Sequence, residues 1–282
     1  MDNAKDFISL TEKEIEKYKS RPNEIAQVLV DKALLYEAKQ AERTEAELKE
    51  MDFLQENALV RFYVQKKLDG TVAVTNNEIQ SFYNANRGLF ANQNESNSDN
   101  IAAQIYNFLY RQKLVANETK MIQDIIANFQ GELVLSNDEV KYMSNNSVRI
   151  TAKYFDKIML EEMKKEDFFT AEADEIEEIK DKVQINYYIE KSLSGKVNVT
   201  EDEVKNFHEM NKESFLNFTI ADAYTQIYNF LFQQKINNDR LEIMKKVVDK
   251  YKLNDIIKDY DKKGLINLGK IKMTKKDKPD AE

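Results

Sequence analysis

The chain contains no cysteine and no tryptophan, and it has a single histidine (His208), two prolines and six glycines in 282 residues. Without cysteine there is no thiol nucleophile, no disulfide and no Cys/His zinc set, and one histidine leaves no spare base for a Ser-His-Asp triad. Few glycines and prolines, set against abundant Lys, Glu, Leu, Ile and Asn, mean few turns and many helices, so an all-α fold is expected. No apolar run approaches the roughly 18 residues of a membrane span. No basic segment followed by an apolar one precedes a small-residue cleavage site, so neither a membrane span nor a signal peptide is expected in this chain. Positive charge is also short. Lys+Arg 42 against Asp+Glu 50 gives a net charge of -8, which repels phosphate backbones and argues against nucleic acid as a partner.

What is present is enough apolar material for a real core: 42% hydrophobic residues, including 14 Tyr and 15 Phe. Its most informative arrangement is a duplication. Residues from Leu10 onward match those from Leu135 onward at a shift of about 125 positions without a gap to Phe90 and Phe215. Asp31-Lys32 meets Asp156-Lys157, Leu35 meets Leu160, Tyr63 meets Tyr188, and Leu68-x-Gly70 meets Leu193-x-Gly195. About three extra residues follow in the first copy, in the polar stretch Asn92 to Asn100, which reads as a surface loop. The match then resumes as Gln104-Ile-Tyr-Asn-Phe-Leu109 on Gln226-Ile-Tyr-Asn-Phe-Leu231.

Each copy carries two capping boxes, in which a Ser or Thr hydroxyl takes an orphan helix amide and a Glu three residues on reaches back. They are Thr11/Glu14 and Thr75/Glu78, then Ser136/Glu139 and Thr200/Glu203. Apolar staples flank them as Leu10/Ile15, Val74/Ile79, Leu135/Val140 and Val199/Val204. Between the caps, Ile25, Leu29, Val30, Ala33, Leu34 and Leu35 form a helical stripe, matched by Ile150, Tyr154, Phe155, Ile158, Met159 and Leu160. A helix is expected over 45–68 and again over about 170–193, closed by Gly70 and Gly195 as left-handed caps. A short extended segment then leads to the capped helix of Phe82 or Phe207. The last pair of helices is expected as 101–115 with 118–129, echoed by 221–236 with 238–251. The resulting expectation is two tandem homologous helical lobes, 1–130 and 131–260, with minor extended segments. A short strand-like segment and polar tail are expected over 261–282.

These residues carry a family resemblance. Gly131-Glu-Leu-Val-Leu-Ser-x-x-Glu139-Val140, Val30-Asp-Lys-Ala-Leu-Leu-Tyr-Glu-Ala-Lys39 and Val74-Thr-Asn-Asn-Glu-Ile-Gln-Ser-Phe-Tyr-Asn-Ala-Asn86, with Phe90 beyond, resemble successive motifs of the N-terminal chaperone domain of SurA and PrsA type foldases. The second copy repeats the pattern at Phe155-Asp-Lys157, Val199-Thr200, Glu203-Val204, Phe207 and Phe215. In many members a parvulin-type prolyl isomerase domain of about a hundred residues, an ordinary domain size, follows the last motif. Here only short loops intervene, and the paired histidines and Gly-Gly signals of a parvulin are missing. The resemblance therefore implies a chaperone module in tandem, not an enzyme, from the periplasm or another extracytoplasmic part of the cell envelope. It implies no cofactor, and unfolded or partly folded polypeptides as partners.

Tyr106-Asn-Phe108-Leu-Tyr110 and Tyr228-Asn-Phe230-Leu-Phe232 each put three aromatics within five residues, more than one helical stripe can bury. Packing against neighbouring helices is the ordinary role of such a run. Exposure to clients is the alternative, and it makes Tyr106, Phe108, Tyr110, Tyr228, Phe230 and Phe232 the candidate client-binding residues. No catalytic or metal-binding residue is expected. His208 stands where the first copy has Tyr83, so the copies share no ionisable group there. The acidic run Glu172 to Asp181 lacks the glycine turn of a calcium loop and reads as a solvated helix face, and the basic run from Lys270 reads as tail. The function expected is an ATP-independent holdase without isomerase activity. The alternative is a helical adaptor or assembly module that binds one protein partner or self-associates as a homo-oligomer.

Overall fold

The computed structural model describes residues 2–19, 21–90, 98–144 and 146–266. The all-α expectation holds: thirteen α-helices and two short 3-10 helices build these residues, and no strand occurs among them. The helices are α1 (Asp2–Ile8), α2 (Glu12–Tyr18), α3 (Pro22–Gln40), α4 (Glu45–Leu68), α5 (Asn76–Ala85), α6 (Ser98–Asn128), α7 (Asn137–Tyr142), α8 (Ser147–Lys165), α9 (Phe168–Ala171), α10 (Ala173–Leu193), α11 (Glu201–Met210), α12 (Ile220–Lys250) and α13 (Leu253–Lys262). The chain divides into two compact units, 1–51 with 181–282, and 52–180. The boundary expected at 130/131 falls inside the second of these. Each unit thus combines the front of one sequence copy with the back of the other, and the chain crosses between units within α4 and within α10.

In the first unit α3 lies at the centre. Ile25, Leu29, Ala33 and Leu34 are fully buried, as are Ile8 of α1 and Leu253 of α13, and Ile185, Ile189 and Leu193 of α10, Val247 of α12 and Tyr260 of α13 are buried with them. The Tyr260 hydroxyl is satisfied inside this core by the Leu10 backbone amide, which donates to it at 2.9 Å. In the second unit α8 takes the same place. Its Met159 and Met163 pack with Leu59, Val60, Tyr63, Val64 and Leu68 of α4, Phe168 of α9 and Ile176 of α10. Tyr63 is buried, donates to Glu166 at 3.1 Å and meets the Phe168 ring edge-on at 5.1 Å.

All four capping boxes form. Each is further tied by a lysine from a neighbouring helix, which reaches the box glutamate and the carbonyl two residues before the cap. Lys32 donates to Ser9 at 2.7 Å and Glu14 at 2.6 Å, and Lys157 to Val134 at 2.9 Å and Glu139 at 3.0 Å. Lys113 donates to Ala73 at 2.7 Å and pairs with Glu78 at 2.6 Å, and Lys235 donates to Asn198 at 2.5 Å and Glu203 at 2.8 Å. A local capping signal is thereby converted into a tertiary contact. A fifth start, at Thr44/Glu47, uses the same reciprocal bonds to open α4.

Two expectations are corrected. The paired helices 101–115 with 118–129 are the single α6, and 221–236 with 238–251 are the single α12. Neither junction contains Gly or Pro, and Asn117, in place to cap a new helix, instead donates its side-chain amide to the Thr71 carbonyl at 3.1 Å. The strand-like segment expected from 261 is, as far as residue 266, the end of α13 and a turn at Gly264. Ile266 then enters the core of the first unit; residues 267–282 lie outside the described residues. Gly70 and Gly195 do adopt the left-handed conformation, at φ 73° and 72°.

Candidate client-binding site

In each unit a packed helix pair presents aromatics: α5 with α6 in the second unit, α11 with α12 in the first. The capped helices contribute Phe82 and Phe207, whose rings lie 5.2 Å from Phe108 and 5.4 Å from Phe230 at the same 47° tilt. On the other side of the same helices, Tyr106 stacks on Tyr110 and Tyr228 on Phe232, both at 6.0 Å between centroids. The two copies therefore repeat the same two ring pairs, one on each side of α6 and of α12, because residues two apart on a helix point about 200° from each other. Tyr106 (41% exposed), Phe108 (46%), Tyr228 (43%) and Phe230 (52%) keep large faces open, while Tyr110 and Phe232 are half-buried. Ile105 and Ile227, on the helix face between the two ring pairs, are buried. Five consecutive residues wrap past a full helical turn, so a run with three rings must turn some of them outward.

Beside Tyr110 of the second unit lies a half-open cleft of about 420 Å³ between α4, α6 and α8. Val60, Val64, Leu68, Leu114, Ile122 and Phe155 form its apolar walls, and Tyr110, stacked on Tyr106, lines it too. Its polar groups are Arg61, Asp69, Glu118 and Asp156, with Asn57 and Gln65. Asp156 is only 1% exposed, and its Oδ2 has no hydrogen-bond partner. Burial pushes the Asp156 carboxyl above the ordinary aspartate range; Asn57, Lys153 and Arg61 act against that shift and Glu56 adds to it. Lys153 is itself buried and paired with Glu56.

His208 packs its ring against Tyr224 at 5.4 Å and Phe215 at 5.9 Å, as Tyr83 packs against Phe90 at 5.6 Å. In the acidic run, Glu172 pairs with Lys66 at 2.7 Å and Asp181 with Lys39 at 3.5 Å. No group of three or more His, Asp or Glu stands close enough together to hold a metal ion among the described residues. Nor is any helix among them long and apolar enough to cross a membrane. The cleft was missed in the sequence, although a signal existed: Asp31 and Asp156 are acidic residues at the same place inside an otherwise apolar helical stripe in both copies.

Comparison with protein-family models, with curated proteins and with solved structures finds no match to this chain.

Proposed function

We propose that this protein is an ATP-independent chaperone of the cell envelope that holds unfolded or partly folded polypeptides and does not isomerise proline bonds. The observation that carries the reading is the set of exposed rings repeated in both units, Tyr106 and Phe108 in the second and Tyr228 and Phe230 in the first. Large apolar faces left open in this way mark binding surfaces. The order of motifs resembling SurA and PrsA type chaperone domains supports the same reading, and the missing parvulin segment and the lone His208 argue against isomerase chemistry. Weak, repeated capture of exposed segments lowers the free concentration of aggregation-prone chains without consuming energy. Exposed rings in both units add avidity for clients long enough to reach both sets.

Light scattering tests it. A chemically unfolded client diluted into buffer with an equimolar amount of this protein should scatter less than with an acidic inert control. Unchanged scattering across several clients would overturn the reading. The second reading, a self-associating adaptor, draws on the assembly of each unit from halves of both copies, since the same exchange between two chains would make a swapped dimer. Light-scattering mass determination giving a stable dimer whose rings are protected from quenchers would favour it.

A further inference from the structure

The sequence positions that line the cleft of the second unit carry different charges at the matching places of the first. At the sites matching Asn57 and Glu118 of the second unit, the first unit has Lys182 and Arg240; at the site matching Arg61 it has Asn186, and at the site matching Asp69 it has Ser194. The acid matching Asp156 is Asp31; burial raises its carboxyl as well, opposed by the Gln27 side chain, which donates at 2.8 Å, and by the Lys182 charge. Arg240 pairs instead with Glu190 at 3.9 Å. The first unit thus sets Lys182 against its own acid. In the second unit the cleft has three carboxylates, Asp69, Glu118 and Asp156, against the single guanidinium of Arg61. Lys153, the other cation near Asp156, is taken up by Glu56, and the Asp156 Oδ2 is left without a partner. Apolar walls flank this deficit of positive charge on both sides.

We propose that the cleft between α4, α6 and α8 binds a lysine side chain of a client polypeptide, its ammonium directed to Asp156 and its methylene stem and apolar neighbours held by Val64, Leu114 and Phe155. The proposal rests on the chaperone reading for the origin of the ligand. It goes beyond it in assigning a charge-selective anchor next to the Tyr106–Tyr110 pair, at positions where the first unit carries the cations Lys182 and Arg240. A buried carboxylate oxygen without a hydrogen bond is costly to keep, and an entering ammonium satisfies it with a charge-assisted bond. The apolar lining contributes by burying the stem, as lysine side chains do along apolar surface.

The test uses the full chain and fluorescent nine-residue apolar peptides with one central residue, lysine, norleucine or glutamate, followed by anisotropy. The lysine peptide should bind about tenfold tighter than the norleucine peptide, and the glutamate peptide weaker than both. The double variant Asn57→Lys with Glu118→Arg, which installs the first unit's cations at partly exposed positions, should bring lysine and norleucine peptides within about twofold of each other. Asp156→Asn should do the same. Equal binding of the lysine and norleucine peptides by the unaltered protein would overturn the proposal, as would a lysine preference that survives both variants. Hexylamine alone binding as tightly as the lysine peptide would overturn the polypeptide origin of the cation. Failure of the chaperone reading looks different: in that case scattering is not suppressed for any client, whatever the peptides show.

Discussion

The Lys113 ammonium sits 2.6 Å from the Glu78 carboxylate, so a residue on α6 holds the capping box that starts α5. Lys113 and the Thr75 amide hold the Glu78 carboxyl down at about 2. Lys235 and Thr200 lower Glu203 in the same way. At Glu14 and Glu139 burial pushes upward, but the bonds from Lys32 with Thr11 and from Lys157 with Ser136 outweigh it. Each of these carboxylates binds its proton less readily in the folded chain than in the unfolded one. Their contribution to stability is therefore complete above the ordinary glutamate value of about 4.3 and disappears as pH falls through the folded values. The urea midpoint should drop between pH 4.3 and about 2, and Glu78→Gln with Glu203→Gln should make that drop shallower. An unchanged slope would show that the clamps do not couple to folding. Thr75→Ala should cost about 1 kcal/mol at pH 7.

Asp156 has the opposite sign. Its folded value is raised by burial, so the penalty for ionising it is complete above the folded value and vanishes as pH falls below the ordinary aspartate value of about 3.9. Asp156→Asn should therefore stabilise the protein by about 1–2 kcal/mol at pH 7. That advantage should disappear by about pH 4, read from urea midpoints at both pH values. A gain in stability together with a loss of lysine preference is what a strained binding group gives up when it is relaxed.

The open rings should be separable from the core. Tyr106→Ser with Tyr228→Ser removes one exposed ring from each stacked pair, and each should change stability by about 1 kcal/mol or less. Suppression of client scattering should fall markedly in the double variant. Retained suppression would show that clients bind elsewhere.

Leu34 and Met159 occupy the same repeat position, both fully buried, in different units. Truncation to alanine should cost about 2–5 kcal/mol at either site. Amide exchange shows which segments each one supports. Leu34→Ala should speed exchange across α3 and α12, which pack together in the first unit, while α5 and α6 keep their protection. Spread of the effect to α5 and α6 instead of α12 would mean that contiguous lobes are the folding units.

Much of this architecture was legible along the chain. The Thr/Ser-x-x-Glu boxes, the glycine caps and the three-and-four spacing of apolar residues act over one or two helical turns, and they appear where they were read. That some of the aromatics stay exposed was legible for the same reason, since three rings in five residues exceed one buried stripe. The break expected between 115 and 118 does not form, and Asn117 there reaches across to the Thr71 carbonyl. The cleft was hidden because Asn57, Glu118 and Asp156 come from three separate helices.

The sequence alone determined the helical class, the starts of the capped helices and the duplication, because these rest on contacts between near neighbours. Which half pairs with which was decided only in three dimensions. Homologous copies carry nearly interchangeable apolar faces, so 1–51 has a suitable partner in either copy's second half. The choice of 181–266 rests on particular long-range matches, such as Glu37 with Lys250 at 2.5 Å, Tyr187 with Glu50 at 2.8 Å and Tyr260 with Leu10, that no local pattern encodes.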